Sequence, residues 1–197
     1  MSPPDTPLTR ERILASAEDV IRRFGPDKAT VVDVARALGV SHAAVYKHVA
    51  TKAELRDLVV ARWVDATMPS LRAIVDSAGP APKRLRLLLD ALIAVKRRRA
   101  SDDPELFTAY RTLAAGAQSI TTAHVDELVA LIATVIRAGT KEGTFRKVDA
   151  GATGRSLLLA TLRFHHPAHA SEWTAPTIDA EFDDLWRLLM RGLLVSK

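Results

Sequence analysis

Between Thr9 and Phe24 the apolar residues Ile13, Leu14, Ala17, Val20, Ile21 and Phe24 recur at helical steps, with Glu11, Arg12, Glu18, Asp19, Arg22 and Arg23 between them. This spacing gathers the apolar side chains on one face of an amphipathic helix, capped by Thr9 and stopped by Gly25-Pro26. A short helix is predicted from Thr30 to Leu38 and another from Ser41 to about Val49, with Gly39-Val40 as the turn between them. Thr51-Lys52-Ala53-Glu54 reads as a capping box in which the Glu54 carboxylate reaches back to the Thr51 amide. The helix it opens runs through Trp63, kinks at Pro69 and ends near Ala78, before the breaker Gly79-Pro80-Ala81-Pro82. Lys83 to Ala100 continues the helical pattern, and Asp103-Pro104-Glu105 supplies the cap and acidic first turn of a helix fading near Gly116. Val125, Leu128, Val129, Ile132, Val135 and Ile136 mark a long helix from about Thr121 to Lys141, which stops at Gly143. Asp149 caps a helix to about Phe164, a proline-bearing connection covers His165 to Thr177, and Ile178 to Val195 forms the last helix. The pattern predicts an all-α fold of about nine helices and gives no convincing strand.

Composition narrows the function classes. A hydrophobic share of 48% in 197 residues supplies a real core, and the length suits a small domain followed by a medium one. The chain has no cysteine, which excludes disulfides, thiol catalysis and Cys-ligated zinc. No apolar run approaches the roughly 20 residues needed to cross a bilayer, and Met1-Ser2-Pro3-Pro4-Asp5 lacks the regions of a signal peptide, so the expectation is a cytoplasmic protein with no membrane partner. The net charge of +5 permits a polyanionic partner. Residues 1–52 carry eight Lys/Arg against six Asp/Glu, a local excess of only two, so charge alone does not mark the N-terminus as a DNA binder.

Pattern does mark it. Residues 30–56 read as a helix-turn-helix: small Ala35 permits a close helix crossing, Gly39 takes the backbone conformation of a tight turn, and Val34, Leu38, Val40 and Val45 fill the space beneath. Ser41 caps the recognition helix. His42, Ala43 and Ala44 occupy its first turn, where side chains reach base edges, while Tyr46, Lys47, His48 and Lys52 are placed for the phosphate backbone.

The run from Thr9 to Leu55 resembles the DNA-binding domain of tetracycline-repressor (TetR) type regulators. The resemblance is carried by the opening Thr-Arg-Glu-Arg-Ile-Leu, Phe24-Gly25, Thr30, the turn from Val34-Ala35 to Gly39-Val40-Ser41, Val45-Tyr46-Lys47-His48 and Lys52 to Leu55. It implies phosphate contacts from Thr30 and Lys52, a groove-facing surface of Ser41 to Ala44 and Lys47, and backbone contacts from Tyr46 and His48. Val49-Ala50 stands where the family usually has Phe-Pro or Phe-x, which implies looser or compensated packing of the recognition helix. Gly139 to Arg146, followed by Asp149, resembles the family's break before its last helix pair. The implied layout is a DNA-binding domain over 1–50 and a helical effector-binding and dimerisation domain over 51–197. The implied function is a regulator, in repressor form, released from a palindromic operator by a small molecule. Its partners are then double-stranded operator DNA, an unidentified effector and a second copy of the chain, with no cofactor.

Other residues keep competing readings open. Trp63, Phe107, Tyr110, Arg111 and Phe164 are aromatics and a polar tip suited to an effector cavity, or plain core. Leu157, Leu158, Leu162, Leu185, Trp186, Leu189 and Leu193 offer the apolar surface of a dimer interface in the last two helices. His165, His166 and His169 invite a metal, but the expectation is none, with a turn at Pro167 as their setting. Lys96-Arg97-Arg98-Arg99 reads as a solvated helix end or, if its helix returns toward the N-terminal domain, as a neighbour of Glu18 and Asp19. A non-inducible DNA-binding protein and a metal-dependent hydrolase are the alternatives, the second without any HExxH, GxSxG or phosphate-loop signature.

Overall fold

Eleven α-helices and one 3-10 helix make up the computed structural model, which describes residues 7–195. Met1 to Asp5, the stretch read above for a signal peptide, lie outside the described residues. The helices are α1 (Arg10–Phe24), α2 (Val31–Leu38), α3 (His42–Tyr46), α4 (Lys52–Asp65), α5 (Met68–Asp76), α6 (Ala81–Asp102), α7 (Pro104–Gly116) and α8 (Gln118–Lys141). The chain closes with α9 (Ala150–Ala160), α10 (Leu162–His165), the 3-10 turn Pro167–Glu172 and α11 (Ile178–Leu193).

Two of the expected nine helices are each divided in the fold, and both breaks have a local cause. The helix opened at Thr51 stops at Asp65 and restarts at Met68, because Pro69 has no amide to donate and its ring would collide with the carbonyl four residues back, that of Asp65. The helix capped by Asp149 breaks at Thr161, whose buried hydroxyl donates to the Leu157 carbonyl at 2.9 Å and approaches that of Leu158 at 3.1 Å. The last helix ends at Leu193 rather than Val195, since Leu194 pairs with Phe145 in an isolated antiparallel bridge. Beside that bridge the Arg146 amide donates to the Leu193 carbonyl at 2.9 Å and the Val195 amide to Thr144 at 3.1 Å. The Phe145 ring lies against Gly139 of α8, where any Cβ would overlap it.

The chain divides into two compact units. The first holds the chain up to Val64 together with Asp103–Thr121. Its core is the inward face of α1 (Ile13, Leu14, Ala17, Val20, Ile21), joined by Val34, Val45, Val49 and Val59. Phe24, assigned to that face by spacing, is exposed at the helix end. Arg22 of α1 donates from Nε at 2.9 Å and Nη2 at 2.7 Å to the same Asp103 oxygen at the start of α7. That bond holds the Asp103 carboxyl below the usual carboxylate range.

The second unit holds Asp65–Asp102 and the chain from Thr122 onward. Its core runs from Leu71 and Leu85 through Leu89, Ile132 and Ile136 to Leu158, Phe164 and Phe182. Among the described residues α8 has the length and hydropathy to cross a bilayer, which no run in the sequence had suggested. Its Leu128, Val129, Ile132, Val135 and Ile136 are packed in this core.

Candidate nucleic-acid interface

The first unit builds its helix-turn-helix from caps. Thr30 accepts from the Asp33 amide at 3.2 Å while the Asp33 carboxylate accepts from the Thr30 amide at 3.2 Å. The Thr30 hydroxyl also donates to this carboxylate at 2.5 Å, the main cause holding the Asp33 carboxyl below its ordinary range, with the Thr30 amide and Arg36 adding to it. The helix start at Thr30 is as the spacing predicts, and the reciprocal box is what fixes it. Gly39 then takes the left-handed conformation, φ 68° and ψ 27°, in which its amide and that of Val40 close on the end of α2. A residue with a Cβ would be strained in that conformation. Ser41 accepts from the Ala44 amide at 3.2 Å and starts α3.

The recognition helix is shorter than expected, five residues rather than nine, and the chain closes it with turns from Val45 to the His48 and Val49 amides. Val45 and Val49 are both 0% exposed, so Val49 fills the inner position where the family pattern departs. Leu38 and Val40, placed beneath the turn by the sequence, are half-buried. On the outer side Ser41, His42, Ala43, Tyr46, Lys47 and His48 are exposed, and Ala44 is half-buried. Six of the nine predicted DNA-binding residues are therefore solvent-exposed.

Thr30 and Lys52 are tied inward. The Thr30 hydroxyl serves its box, and Lys52 Nζ donates to the Asp27 carbonyl at 2.9 Å, joined by Arg56 donating to the Pro26 carbonyl at 2.9 Å. This clamp fixes the start of α4 to the loop before α2, a role the sequence did not signal because carbonyl acceptors have no side-chain signature. Glu54 is also redirected: its amide donates to Thr51 Oγ1 at 3.0 Å, as a box requires, but its carboxylate accepts from the Ala50 amide at 2.7 Å.

The residues proposed for an effector cavity fall into two groups. Trp63, Phe107 and Tyr110 are buried together in the first unit, with Trp63 stacked on Tyr110 at 4.9 Å between ring centroids, while Arg111 is exposed. Phe164 belongs to the second unit and packs on Phe182 at 5.1 Å. Of the residues assigned to a dimer interface, Leu157, Leu158 and Leu193 are buried in the second unit's own core, and Leu162, Leu185, Trp186 and Leu189 are half-buried. The large apolar side chains left open on α9 and α11 are Leu159, 53% exposed, and Leu188, 64% exposed, neither of which is among the residues assigned to the interface.

Of the three clustered histidines, His166 and His169 meet edge-on at 6.5 Å between ring centroids, while His165 is turned into the core. His165 is buried beside Thr161, His166 accepts from the Ala168 amide at 3.2 Å, and His169 pairs with Glu172 at 2.7 Å. The basic run at the end of α6 is not one solvated tip, because Lys96 is buried and Arg97 pairs with Asp179 at 2.6 Å. Glu18 and Asp19 are bound within α1 and α4, Glu18 to Arg62 at 3.1 Å and Asp19 to Arg22 at 2.5 Å.

With this geometry in view, the likeness to known proteins is informative in both halves. The family model for bacterial regulatory proteins of the tetR family matches residues 13–59, and that for the tetracyclin repressor-like C-terminal domain matches 81–186. The chain is 29% identical over 90 residues to the nucleoid occlusion factor SlmA of Vibrio atlanticus, covering 45% of this chain and 46% of that protein. It thus spans about half the length of such relatives. A regulator of the TetR/AcrR family from Thermobifida fusca shares the fold with a TM-score of 0.68 and 20% identity, over 93% of this chain and 97% of that one. SmeT, the repressor of the Stenotrophomonas maltophilia multidrug efflux pump SmeDEF, does so with a TM-score of 0.65 and 19% identity, over 96% and 92%. A helix-turn-helix with its polar face open to solvent and a second helical unit, each matched by the corresponding half of one family, lead to one conclusion: the chain belongs to the tetR family of bacterial regulatory proteins and is a DNA-binding transcriptional regulator.

Proposed function

We propose that the protein is a ligand-responsive repressor that binds a palindromic operator as a homodimer and leaves it when a small molecule occupies the helical region beyond residue 50. In this reading 1–50 forms the DNA-binding domain and 51–197 the sensing and dimerising one. The observation that carries it is the solvent-facing row His42, Ala43, Tyr46, Lys47 and His48 after the Gly39 turn. His42 and Ala43 read base edges, while Tyr46, Lys47 and His48 hold phosphates. The repressor role is supported by the likeness to SmeT, the repressor of a multidrug efflux pump. Dimerisation is supported by Leu159 and Leu188, apolar side chains that stay open on α9 and α11 in the single chain. A dimer sets two recognition helices about one DNA turn, roughly 34 Å, apart, and an effector that changes this spacing lowers operator affinity. The coupling is reciprocal, so operator lowers effector affinity by the same factor.

Selection of bound DNA from a random library tests the reading. A palindromic site is expected, with His42→Ala relaxing its sequence preference and Tyr46→Phe weakening binding to all sequences. Recovery of no preferred sequence would contradict it. Leu188→Arg is expected to give monomers with weak operator binding, and a variant that still sediments as a dimer places the interface elsewhere.

A further inference from the structure

Inside the second unit three nitrogen-bearing side chains are buried within electrostatic reach of one another, where carbon would be expected. Lys96 of α6 is 5% exposed and has no hydrogen-bond or ion-pair partner among the described residues. His124 of α8 is 9% exposed, and neither of its ring nitrogens is hydrogen-bonded. His165 of α10, 5% exposed, has Nε2 at 3.2 Å from Thr161 Oγ1 and 3.3 Å from the Leu158 carbonyl oxygen. Lys96 lies near enough to act electrostatically on both rings. No carboxylate is among the groups acting on any of the three; Arg99 and His166 add only like charge. Burial first, then Arg99, pushes the Lys96 ammonium down to about 8, and burial pushes both imidazoles down to about 4. At neutral pH the cluster is one ammonium and two neutral rings.

Such a cluster is unfavourable on its own. A buried cation without a counter-ion loses hydration that nothing replaces, and buried ring nitrogens without partners lose their bonds to water. An anion bound there would reverse both losses. The surroundings restrict what else it carries: Leu92 and Ile93 lie one turn before Lys96, Leu128 one turn after His124 and Phe164 beside His165, all in the core. The complementary guest has one compact anionic head and an apolar body.

We propose that Lys96 and His124, backed by His165, bind the carboxylate of a small amphipathic organic acid, and that this acid is the effector; the second clause rests on the ligand-responsive reading above. The Lys96 ammonium and one N–H of His124 donate to the carboxylate. His165, held at Nε2, is a positioning residue.

The test uses the full chain at pH 7 with straight-chain carboxylates from butanoate to decanoate, the matching primary amides, and inorganic phosphate, followed by calorimetry and thermal melting. At least one carboxylate is expected to bind about tenfold or more tightly than its amide, and phosphate weakly or not at all. Lys96→Met should lose about tenfold or more in carboxylate affinity while melting higher than wild type, and His124→Phe should lose less. The site is overturned if no carboxylate outdoes its amide, if phosphate binds as tightly, or if Lys96→Met and His124→Phe both bind carboxylate unchanged. Operator release separates the two readings. A carboxylate that binds through Lys96 but leaves the DNA complex intact upholds the site and overturns its effector role. Release by a neutral or cationic compound, equal in wild type and Lys96→Met, overturns the proposal and leaves ligand response standing.

Discussion

Lys47 at the end of α3 and Lys96 within α6 are the same side chain in opposite surroundings: Lys47 stands in water beside His48 and Tyr46, whereas Lys96 is buried among Leu92, Ile93 and two unprotonated histidines. An exposed ammonium keeps its hydration until a partner arrives, and salt within a Debye length of about 8 Å competes for it at physiological ionic strength. A buried ammonium has given up that hydration in advance, so only a guest small enough to enter can compensate it. The exposed cation suits a long polyanion held by many weak, salt-sensitive contacts, and the hidden one suits a single small anion held in a low-dielectric interior. On the two proposals above, one chain carries two anion-directed surfaces that do not compete for the same partner.

The largest expected effect tests the hidden surface by acid. Both histidines have folded-state values of about 4 against 6.5 when unfolded, so between those pH values the unfolded chain holds more protons than the folded one. Their stabilising contribution is complete above about 6.5 and is lost as pH falls toward 4. Urea unfolding should show a loss on the order of 3 kcal/mol from pH 7 to pH 5, with His124→Phe removing about half of it. A flat profile over that range contradicts the buried, neutral state of the pair.

Next in size is Lys96→Met. Removing an unpaired buried charge should raise stability at pH 7 by about 2 kcal/mol, seen as a higher urea midpoint without a changed slope. The same burial predicts that the wild type gains stability as pH rises from about 8 toward 10.5, where the folded Lys96 releases its proton before the unfolded one does. Lys96→Met should lack that gain. A destabilised Lys96→Met would mean that the ammonium has a favourable partner.

Lys47→Ala is the smallest perturbation of the fold and sharpens the other side. Its stability should stay within about 0.5 kcal/mol of wild type.

Legibility in the sequence follows the same division. The helix-turn-helix geometry could be read because its chemistry is local: Gly39 at a left-handed turn, Ser41 as a cap, and Val34 and Val45 on the inner side all act within a few residues of one another. The two helix breaks were half legible, since Pro69 announces its steric conflict while Thr161 does not reveal in advance that its hydroxyl will turn back to Leu157. Burial of Lys96 was hidden, because Lys96 to Arg99 is a basic run and such runs usually face water. It takes tertiary packing to place the first of the four inward and leave Arg98 outward. The open apolar surface was only partly legible, for a related reason. Periodicity finds that α9 and α11 have apolar residues, but only the packed unit shows that Leu157, Leu158 and Leu193 are already covered and that Leu159 and Leu188 are not.

The contrast between the two lysines is tested most directly by binding isotherms on one selected DNA site, measured across salt concentrations without effector for wild type, Lys47→Ala and Lys96→Met. The expected result is weaker binding by Lys47→Ala with a log-log salt slope smaller by about one, and a Lys96→Met isotherm that coincides with wild type at every salt concentration. A salt slope that falls in Lys96→Met, or one unchanged in Lys47→Ala, would contradict the assignment of the outer cation to DNA and the inner one to a small anion.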